Sequence, residues 1–354
     1  MAKHRIISAE PENETEEHFN HSLRPTTLDD YVGQRKLLEK LSITLTAVKQ
    51  RNEPMEHVLL HGPPGLGKTT LAHIIAKEMD THLTVTSGPA LVRPTDLVGT
   101  LTKLQSGDVL FVDEIHRLSA VVEEYLYPAM EDFKIDITLD SGLHAKNLTL
   151  PLKPFSLIGA TTRAGLLSGP MRSRFGIVHN IEFYSDPDLL TLLRRSASLM
   201  DMDLNQNDAT SGIEALKTIS KRCRGTPRIA NRLLRRVRDY SQVRADNRLD
   251  LDVVHQALKL EGVDDLGLDE LDRKYLNVLR NIYQGGPVGL EAVAATLGED
   301  AGTLEDVVEP YLLQIGFLAR TRKGRQLTPQ AATHLGFTLP TNNTQENDLF
   351  DTEV

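Results

Sequence analysis

The segment GPPGLGKT at positions 62–69 constrains the fold of this chain more than any other part of its sequence. It matches the pattern G-x-x-x-x-G-K-[ST] and lies between an apolar run, HVLLHG (57–62), and an amphipathic run, TTLAHIIAKEM (69–79). The first run predicts a buried strand and the second a helix, which is the setting in which such a loop binds phosphate. A strand, a loop and a helix in this order indicate a parallel sheet flanked by helices.

The residues of this loop suit the phosphates of a nucleotide. Its glycines let backbone N–H groups approach phosphate oxygens, and the start of the helix adds the positive end of its dipole. Lys68 is expected to contact the β- and γ-phosphates, and the hydroxyl of Thr69 to bind Mg²⁺. The loop residues expected to bind the nucleotide are Gly62, Gly65, Leu66, Gly67, Lys68, Thr69 and Thr70.

A second apolar run ends in two carboxylates. In DVLFVDE (108–114) the strand ends at Asp113 and Glu114, so both are expected at the carboxyl edge of the sheet, beside the phosphate loop. We expect Asp113 to hold Mg²⁺ through water and Glu114 to orient or polarise the attacking water. A nucleotide switch does not need the second acid, so the pair favours turnover of ATP.

The transfer of a phosphoryl group builds negative charge on its oxygens, which a polar donor and a cation would stabilise. Thr162 closes a third apolar run, FSLIGATT (155–162), and is the candidate donor. Arg172 and Arg174 follow in the loop SGPMRSRFG. From the residues alone, one arginine is expected to form an ion pair, and the other is a candidate arginine finger.

The last part of the chain has the pattern of a winged-helix domain. Three predicted helices, at 268–283, 290–297 and 303–316, precede a hairpin-like segment around Gly324. The third helix carries acids and no Lys or Arg between 304 and 315, so phosphates would repel it. The candidate DNA contacts therefore lie on the hairpin, at Arg320, Arg322, Lys323 and Arg325. Because such contacts are made to phosphates and not to bases, the protein is expected to bind DNA with similar affinity whatever its base sequence.

The net charge of −9 does not exclude a nucleic-acid partner. Residues 10–17 hold five acids and residues 346–353 hold four, which together equal the whole excess, so the folded part is near neutral. The single cysteine, Cys223, excludes an internal disulfide and favours a reducing compartment. With no long apolar run and no apolar leader, the sequence predicts a cytoplasmic protein.

Six motifs between Leu23 and about Pro340 together resemble those of AAA+ ATPases that drive branch migration of Holliday junctions. They are LRPTTLDDYVGQ, GPPGLGKTTLA, DEIHRLS, GATTRAG, GTPRIANRLLRRVRD and GGPVGL. The resemblance implies a hexameric ring that uses ATP and Mg²⁺ to move DNA. It also implies two partner proteins, the junction-binding protein RuvA and the resolvase RuvC.

The resemblance also implies a division of the chain. We expect an α/β P-loop AAA+ domain with a parallel sheet, then a small helical domain, then a winged-helix domain. The predicted segments are an acidic tail at 1–22, the large ATPase domain at 23–184, the small helical domain at 185–262, the winged-helix domain at 263–338 and a second acidic tail at 339–354.

Individual roles follow from the same resemblance. Thr162 would be sensor 1, Arg174 the finger that reaches the ATP of a neighbouring subunit, and Arg228 sensor 2. Ala301 stands where some relatives carry an arginine, so one DNA contact is expected to be missing. Residues that would line the adenosine pocket are Leu23, Arg24 and Tyr184, and those near a nucleotide site shared between subunits are Glu131, Asp132 and Phe133.

The segment 136–155 alternates apolar with polar residues around Ser141 and Gly142, which predicts a protruding hairpin. Apolar side chains at an exposed tip mark a partner site. The candidates are Leu143, Leu148 and Leu150, and the partner that the resemblance implies is RuvA.

Two other functions stay open at this level. An AAA+ regulator or initiator would bind one DNA sequence and use ATP as an assembly switch, and the acidic third helix counts against it. A protein-remodelling ATPase would carry an aromatic-hydrophobic pore loop with glycine, and no such motif stands out. The residues favour an ATP-driven DNA translocase over both.

Overall fold

The computed structural model describes residues 7, 23–138, 147–202 and 209–339. It divides into two compact units, Met1–Leu258 and Lys259–Val354. Within the described residues, every helix is too short or too polar to cross a membrane.

Five parallel strands form the central sheet of the first unit, as the sequence predicts. The strands of this unit are β1 (Val58–His61), β2 (Leu83–Ser87), β3 (Val109–Asp113), β4 (Lys134–Thr138), β5 (Asn147–Pro151), β6 (Ser156–Thr161) and β7 (Ile177–Asn180). The order across the sheet is β2-β3-β6-β1-β7. The inner strands β1, β3 and β6 are almost entirely buried, because their apolar runs are covered on both faces.

Helices of the first unit bury their apolar faces around this sheet. They begin with α1 (Arg35–Arg51), α2 (Lys68–Glu78), α3 (Pro94–Leu101), α4 (Ala120–Glu131) and α5 (Gly169–Ser173). In α1 the buried residues Leu37, Leu41 and Leu45 recur every four positions, which is the spacing of one helix face. The predicted helix after the phosphate loop is α2, which packs on β2, β3 and β6.

Strands β4 and β5 form the antiparallel hairpin that the sequence predicts between the second and third apolar runs. Ile135 is opposite Leu150, and Ile137 is opposite Leu148. The tip of this hairpin, which includes Leu143, lies outside the described residues.

From residue 186 the first unit is helical. Its further helices are α6 (Asp186–Leu199), α7 (Ala209–Arg222), α8 (Pro227–Arg244) and α9 (Leu251–Leu260), the last two residues of which belong to the second unit. Ser185 caps α6 by accepting a hydrogen bond from the backbone N–H of Asp188. In α8 the residues Ile229, Leu233 and Val237 form a buried face.

The second unit has the winged-helix pattern of helices followed by a two-stranded wing. Its elements are α10 (Glu270–Asn281), α11 (Leu290–Leu297), α12 (Ala301–Thr303), α13 (Glu309–Gln314), β8 (Leu318–Thr321), β9 (Gly324–Leu327) and α14 (Pro329–His334). The predicted third helix at 303–316 is helical from Ala301 to Gln314, but a π-helical turn, Leu304–Val308, interrupts its regular pattern between α12 and α13. Pro310 has no N–H to continue the regular ladder, which explains the interruption.

Candidate functional site

The phosphate loop joins β1 to α2 and needs glycine at two positions for steric reasons. Gly62 and Gly67 have φ of 143° and 100°, which disfavour any residue with a Cβ. A Cβ on Gly62 would lie 2.3 Å from the carbonyl oxygen of Ile181, and one on Gly67 would lie 2.6 Å from the hydroxyl oxygen of Tyr31. The loop therefore packs closely against its neighbours on one side, and its predicted phosphate contacts belong to the backbone.

Lys68 is buried at the start of α2. Its Nζ donates to the carbonyl oxygens of Gly62 and Pro63, at 2.8 and 2.9 Å. Burial lowers the pKa of Lys68 to about 8, and the charges of Asp113 and Glu114 act in the opposite direction. Phosphate groups beside the amine would favour its charged form in the same way. The structure thus brings Lys68 together with both predicted carboxylates.

The two acids occupy the end of β3, and the chain turns sharply between them. Glu114 has a left-handed backbone with φ of 47°, so its side chain leaves the strand direction of Asp113. The hydroxyl of Thr162 donates to Glu114 Oε2 at 3.2 Å. His116 Nδ1 lies 3.1 Å from the same oxygen and 2.8 Å from Thr161 Oγ1. The predicted donor and the predicted acid are therefore in direct contact.

His116 lies beside the acid pair at the end of β3. Among the described residues, no group of three or more His, Cys, Asp or Glu side chains is arranged to hold a metal ion. The ring instead connects β6 to the turn after β3 through Thr161 and Glu114.

Two buried tyrosines pack against the phosphate loop where the adenosine pocket is predicted. The hydroxyls of Tyr31 and Tyr184 lie 3.2 and 3.4 Å from the carbonyl oxygen of Leu66. Burial raises the pKa of Tyr184 to about 12, so its hydroxyl stays protonated. Leu23 is also buried, and its carbonyl oxygen accepts from Arg195 Nη1 at 2.8 Å. Leu23 and Tyr184 were predicted for this pocket, and Arg24 directly follows Leu23.

The sequence prediction missed Tyr31 and Arg195. Tyr31 lies within one of the six motifs, two residues before Gly33. A Cβ on Gly33 would lie 2.8 Å from the ring of Tyr184, so this short segment contacts Tyr184 as well as the phosphate loop. The closeness of Gly33 to Tyr31 in the sequence was the available signal. Its meaning depends on Tyr184, which lies 151 positions after Gly33.

The helical region also contributes a charge to this site. Arg228 is the second residue of α8, after Pro227. Its positive charge lowers the pKa of Lys68, which places the guanidinium near the phosphate loop. The backbone N–H of Tyr184 donates to the carbonyl oxygen of Gly225 at 2.9 Å, which fixes the loop before α8 to the pocket.

The two arginines of α5 and its C-terminus diverge. Arg172 donates to the carbonyl oxygen of Ala164 at 2.6 Å, and its charge adds to burial in lowering the pKa of His61, at the end of β1. Arg174 donates to the carbonyl oxygen of Pro170 at 2.7 Å and pairs with Glu131 at 3.2 Å. Its contacts within the described residues belong to α4 and α5 rather than to the phosphate loop.

The three residues predicted near a shared nucleotide site have different surroundings. Glu131 pairs with Arg174, whereas Asp132 pairs with Lys134 at 2.8 Å. The ring of Phe133 packs edge-on against the ring of Phe155, with centroids 5.8 Å apart. Glu131 therefore shares the surroundings of Arg174, while Phe133 anchors the turn before β4 in the core.

The wing of the second unit carries two arginines directly opposite each other, Arg320 on β8 and Arg325 on β9. Both Nε atoms donate to Glu309, at 2.6 and 3.1 Å, and this carboxylate is completely buried. Tyr275 donates to it at 2.8 Å, and the more exposed Glu305 lies within 3.6 Å of both guanidinium groups. The acids of the third helix thus hold the wing arginines, a relation that the sequence prediction missed.

The other two predicted DNA contacts lie at the wing turn, where Arg322 and Lys323 are exposed. Neither forms an ion pair with another residue in the part of the chain that the structure describes.

Of the predicted partner-binding residues, Leu148 is 43% exposed on β5 and Leu150 is half-buried. Ala301 begins α12 and is half-buried against the core of the second unit.

A phosphate loop, an acid pair after β3, a threonine after β6 and an arginine from a following helical region together define a P-loop ATPase of the AAA+ class. Family models agree with this class. They match residues 23–181 as the P-loop domain of the Holliday junction DNA helicase RuvB, 184–264 as the RuvB AAA lid domain, and 265–336 as the RuvB C-terminal winged-helix domain. The chain belongs to the RuvB family, and as a P-loop ATPase it binds nucleotide.

Solved structures support this assignment. One is RuvB of Thermotoga maritima, described as a Holliday junction branch migration motor, with 51% identity and a TM-score of 0.80 over 90% of this chain and 100% of that chain. A single-residue variant of the same protein shares 52% identity with a TM-score of 0.81, over 90% of this chain and 99% of that chain.

Proposed function

We propose that this chain is the motor subunit of a hexameric ring that hydrolyses ATP to move DNA and drive branch migration. One observation carries the proposal of a ring. Lys68, Glu114 and Thr162 gather around the phosphate loop, whereas the contacts of Arg174 lie on α4 and α5. An arginine finger that does not contact the phosphate loop of its own chain can instead be supplied to the site of a neighbouring subunit.

The residues at the loop also fit a magnesium ion. Thr69 offers a hydroxyl oxygen and Asp113 a carboxylate oxygen, which are the ligand types that Mg²⁺ prefers. When bound, Mg²⁺ neutralises charge on the phosphate oxygens. Asp113 Oδ1 accepts from the backbone N–H of Glu114 at 2.9 Å, which fixes the orientation of the carboxylate.

Each side chain has a part in the proposed hydrolysis. Lys68 turns from the carbonyl oxygens of Gly62 and Pro63 to the β- and γ-phosphates. Glu114 accepts a hydrogen bond from the attacking water and polarises it, and Thr162 holds this carboxylate in place. Arg174 of the neighbouring subunit stabilises the charge that develops on the transferred group.

The helical region and the second unit connect this chemistry to movement. Arg228 senses the phosphates through its position beside Lys68 and transmits the nucleotide state to the small helical domain, which we place at 185–262. The winged-helix domain, at 263–338, contacts DNA phosphates through its wing. RuvA binds at the β4–β5 hairpin, RuvC is a further partner, and the ring acts in the cytoplasm.

The proposal is tested by the ATPase rate without DNA, with linear duplex and with a four-way junction, together with branch migration of a labelled junction in the presence of RuvA. We expect DNA to raise the ATPase rate. We expect the junction to be converted by branch migration into separate duplexes only when the ATP can be hydrolysed. An ATPase rate that ignores DNA, with no movement of the junction, would contradict the proposal. Binding restricted to one DNA sequence would favour the regulator instead.

Wing variants are expected to separate phosphate contact from wing structure. Replacing Arg322 and Lys323 with Ala should weaken DNA binding about equally for unrelated sequences and reduce the log–log salt slope by about 0.9 for each lost phosphate contact. Replacing Arg320 and Arg325 with Ala should also weaken binding. It should in addition lower the free energy of unfolding by about 3–5 kcal/mol, because the buried Glu309 loses both of its cationic partners.

Fluorescence anisotropy at several salt concentrations and denaturant unfolding measure these effects. Unchanged affinity and slope in both pairs of variants would move the DNA site away from the wing. A stability loss without an affinity loss in the Arg320 and Arg325 variant would make that pair structural.

A charge on the β4–β5 hairpin is expected to uncouple the partner from the motor. Leu143→Asp and Leu148→Asp should weaken RuvA-dependent junction migration and leave the basal ATPase rate unchanged, because they remove an apolar contact with the partner and change none of the residues proposed to act on ATP. Ile43→Asp on α1, which adds the same charge at another exposed apolar position, is the control. If basal ATPase and RuvA-dependent activity fell together, the hairpin would be structural.

A further inference from the structure

Arg174 lies on an aromatic ring in addition to its polar contacts. Its Cζ is 4.2 Å from the centroid of Tyr127, well within the range of a cation–π interaction. Nη1 is bound by Pro170 and Nη2 by Glu131. Nε is buried, and within the described part of the chain it has no hydrogen-bond partner. Ring, carbonyl and carboxylate together define one orientation of the guanidinium group.

Tyr127 is itself held by a buried carboxylate. Its hydroxyl donates to Glu123 Oε2 at 2.8 Å, and the hydroxyl of Ser168 donates to the same oxygen at 2.8 Å. The two hydroxyl oxygens are 3.0 Å apart, so the three groups form a closed triangle. Ser168 also caps α5 by accepting from the backbone N–H of Met171. Glu123 on α4 therefore fixes both the ring under Arg174 and the start of the helix that ends at Arg174.

Such support matters because a short helix cannot hold a long side chain by itself. α5 has only five residues, and Arg174 follows its last turn. A free arginine side chain loses rotamer entropy when it is ordered in a reactive complex. A guanidinium group that is already oriented loses less, which lowers the barrier to the reaction it assists.

We propose that Tyr127, held by Glu123 and Ser168, is a positioning residue that orients Arg174 toward the ATP of the neighbouring subunit. Glu131 is the resting charge partner, which the phosphates of the neighbour displace. This inference rests on the proposed role of Arg174 as a finger between subunits. Tyr127 does not touch the reacting atoms and acts through the side chain that lies on its ring.

Mixed rings test this role, because each subunit can be made to supply one half of a site. A Lys68→Ala subunit supplies the finger, and an Arg174→Ala subunit supplies the phosphate loop. Tyr127→Leu is added to one subunit or to the other. In the finger-supplying subunit it should reduce the recovered ATPase rate roughly 5-fold or more, the equivalent of one lost cation–π contact. In the loop-supplying subunit it should leave the rate unchanged, because Arg174 is already absent there.

Each placement is the control for the other. Both mixtures contain the same Tyr127→Leu substitution, so a general effect on folding or ring assembly would lower the ATPase rate in both. Tyr127→Phe in the finger-supplying subunit keeps the ring and loses only the hydroxyl, so it should retain more activity than Tyr127→Leu. Equal losses in both placements would make Tyr127 a structural residue and overturn the inference. A recovery that no placement of Tyr127→Leu changes would also overturn it, while leaving the finger between subunits intact. No recovery in the mixture without Tyr127→Leu would overturn both.

Discussion

An equal mixture of Lys68→Ala and Arg174→Ala subunits is expected to regain ATPase activity that neither variant has alone. Lys68→Ala removes the cation that we propose contacts the phosphates. Arg174→Ala removes the charge that we propose is supplied to the neighbour, and an arginine finger contributes about 10³-fold or more to turnover in other ATPases. Where the two variants meet in the right order, the loop of one and the arginine of the other form a complete site. In the Lys68→Ala subunit, Arg174 is intact and contacts Pro170, Tyr127 and Glu131 rather than the phosphate loop of its own chain.

The size of the recovery is set by how the subunits are arranged. Random assembly makes about a quarter of the interfaces complete, and coupling between sites in the ring lowers the activity below that share. Steady-state phosphate release measures the recovery, and capture of one variant through a tag on the other shows that they share rings. Co-assembled mixtures with no more activity than the separate variants would count against a finger between subunits and leave Arg174 with a role inside its own chain.

Glu114→Gln is expected to bind ATP as well as the unchanged protein and to lose about 10²-fold or more in turnover. The amide keeps the size of the side chain and can still accept from the hydroxyl of Thr162, so the site stays folded. The amide has no negative charge and therefore cannot polarise the attacking water as the carboxylate does. A positioned acid or base contributes about 10²- to 10⁴-fold to the rate. Binding and hydrolysis should therefore separate in this variant.

A fluorescent ATP analogue measures the binding, and phosphate release measures the turnover. Lys68→Ala is the comparison, because it removes a phosphate contact and is expected to lose nucleotide binding as well as turnover. Equal turnover by the unchanged protein and Glu114→Gln would remove Glu114 from the mechanism. The hydrogen bond from Thr162 to Glu114 would then only stabilise this edge of the sheet and have no role in hydrolysis.

The features predicted correctly from the sequence depend on short stretches of chain. The apolar runs of β1, β3 and β6 are long enough to specify buried strands, and each ends at a residue of the site. The glycines at 62 and 67 have the positive φ that only this residue type adopts easily. The winged-helix pattern was equally visible, because helix periodicity and a turn at Gly324 are both local signals.

The errors and omissions concern contacts between distant residues. The acids at 305 and 309 look like a surface that repels phosphate, yet Glu309 is buried beneath the two wing arginines. Nothing near Tyr31 in the sequence shows that its hydroxyl meets the phosphate loop 35 residues later. The ring contact between Phe133 and Phe155, 22 positions later, was likewise not visible in the sequence.

Residue types and spacing were therefore sufficient to determine the class of chemistry, because the phosphate loop and the acid pair each work within one strand and the turn that follows it. Only the tertiary structure decided which side chains support that chemistry. Arg172 and Arg174 are two positions apart in the same loop, but only one lies on the ring of Tyr127. Which partner a charged group meets depends on how α4 and α5 pack, and packing is decided by the whole core rather than by any short segment.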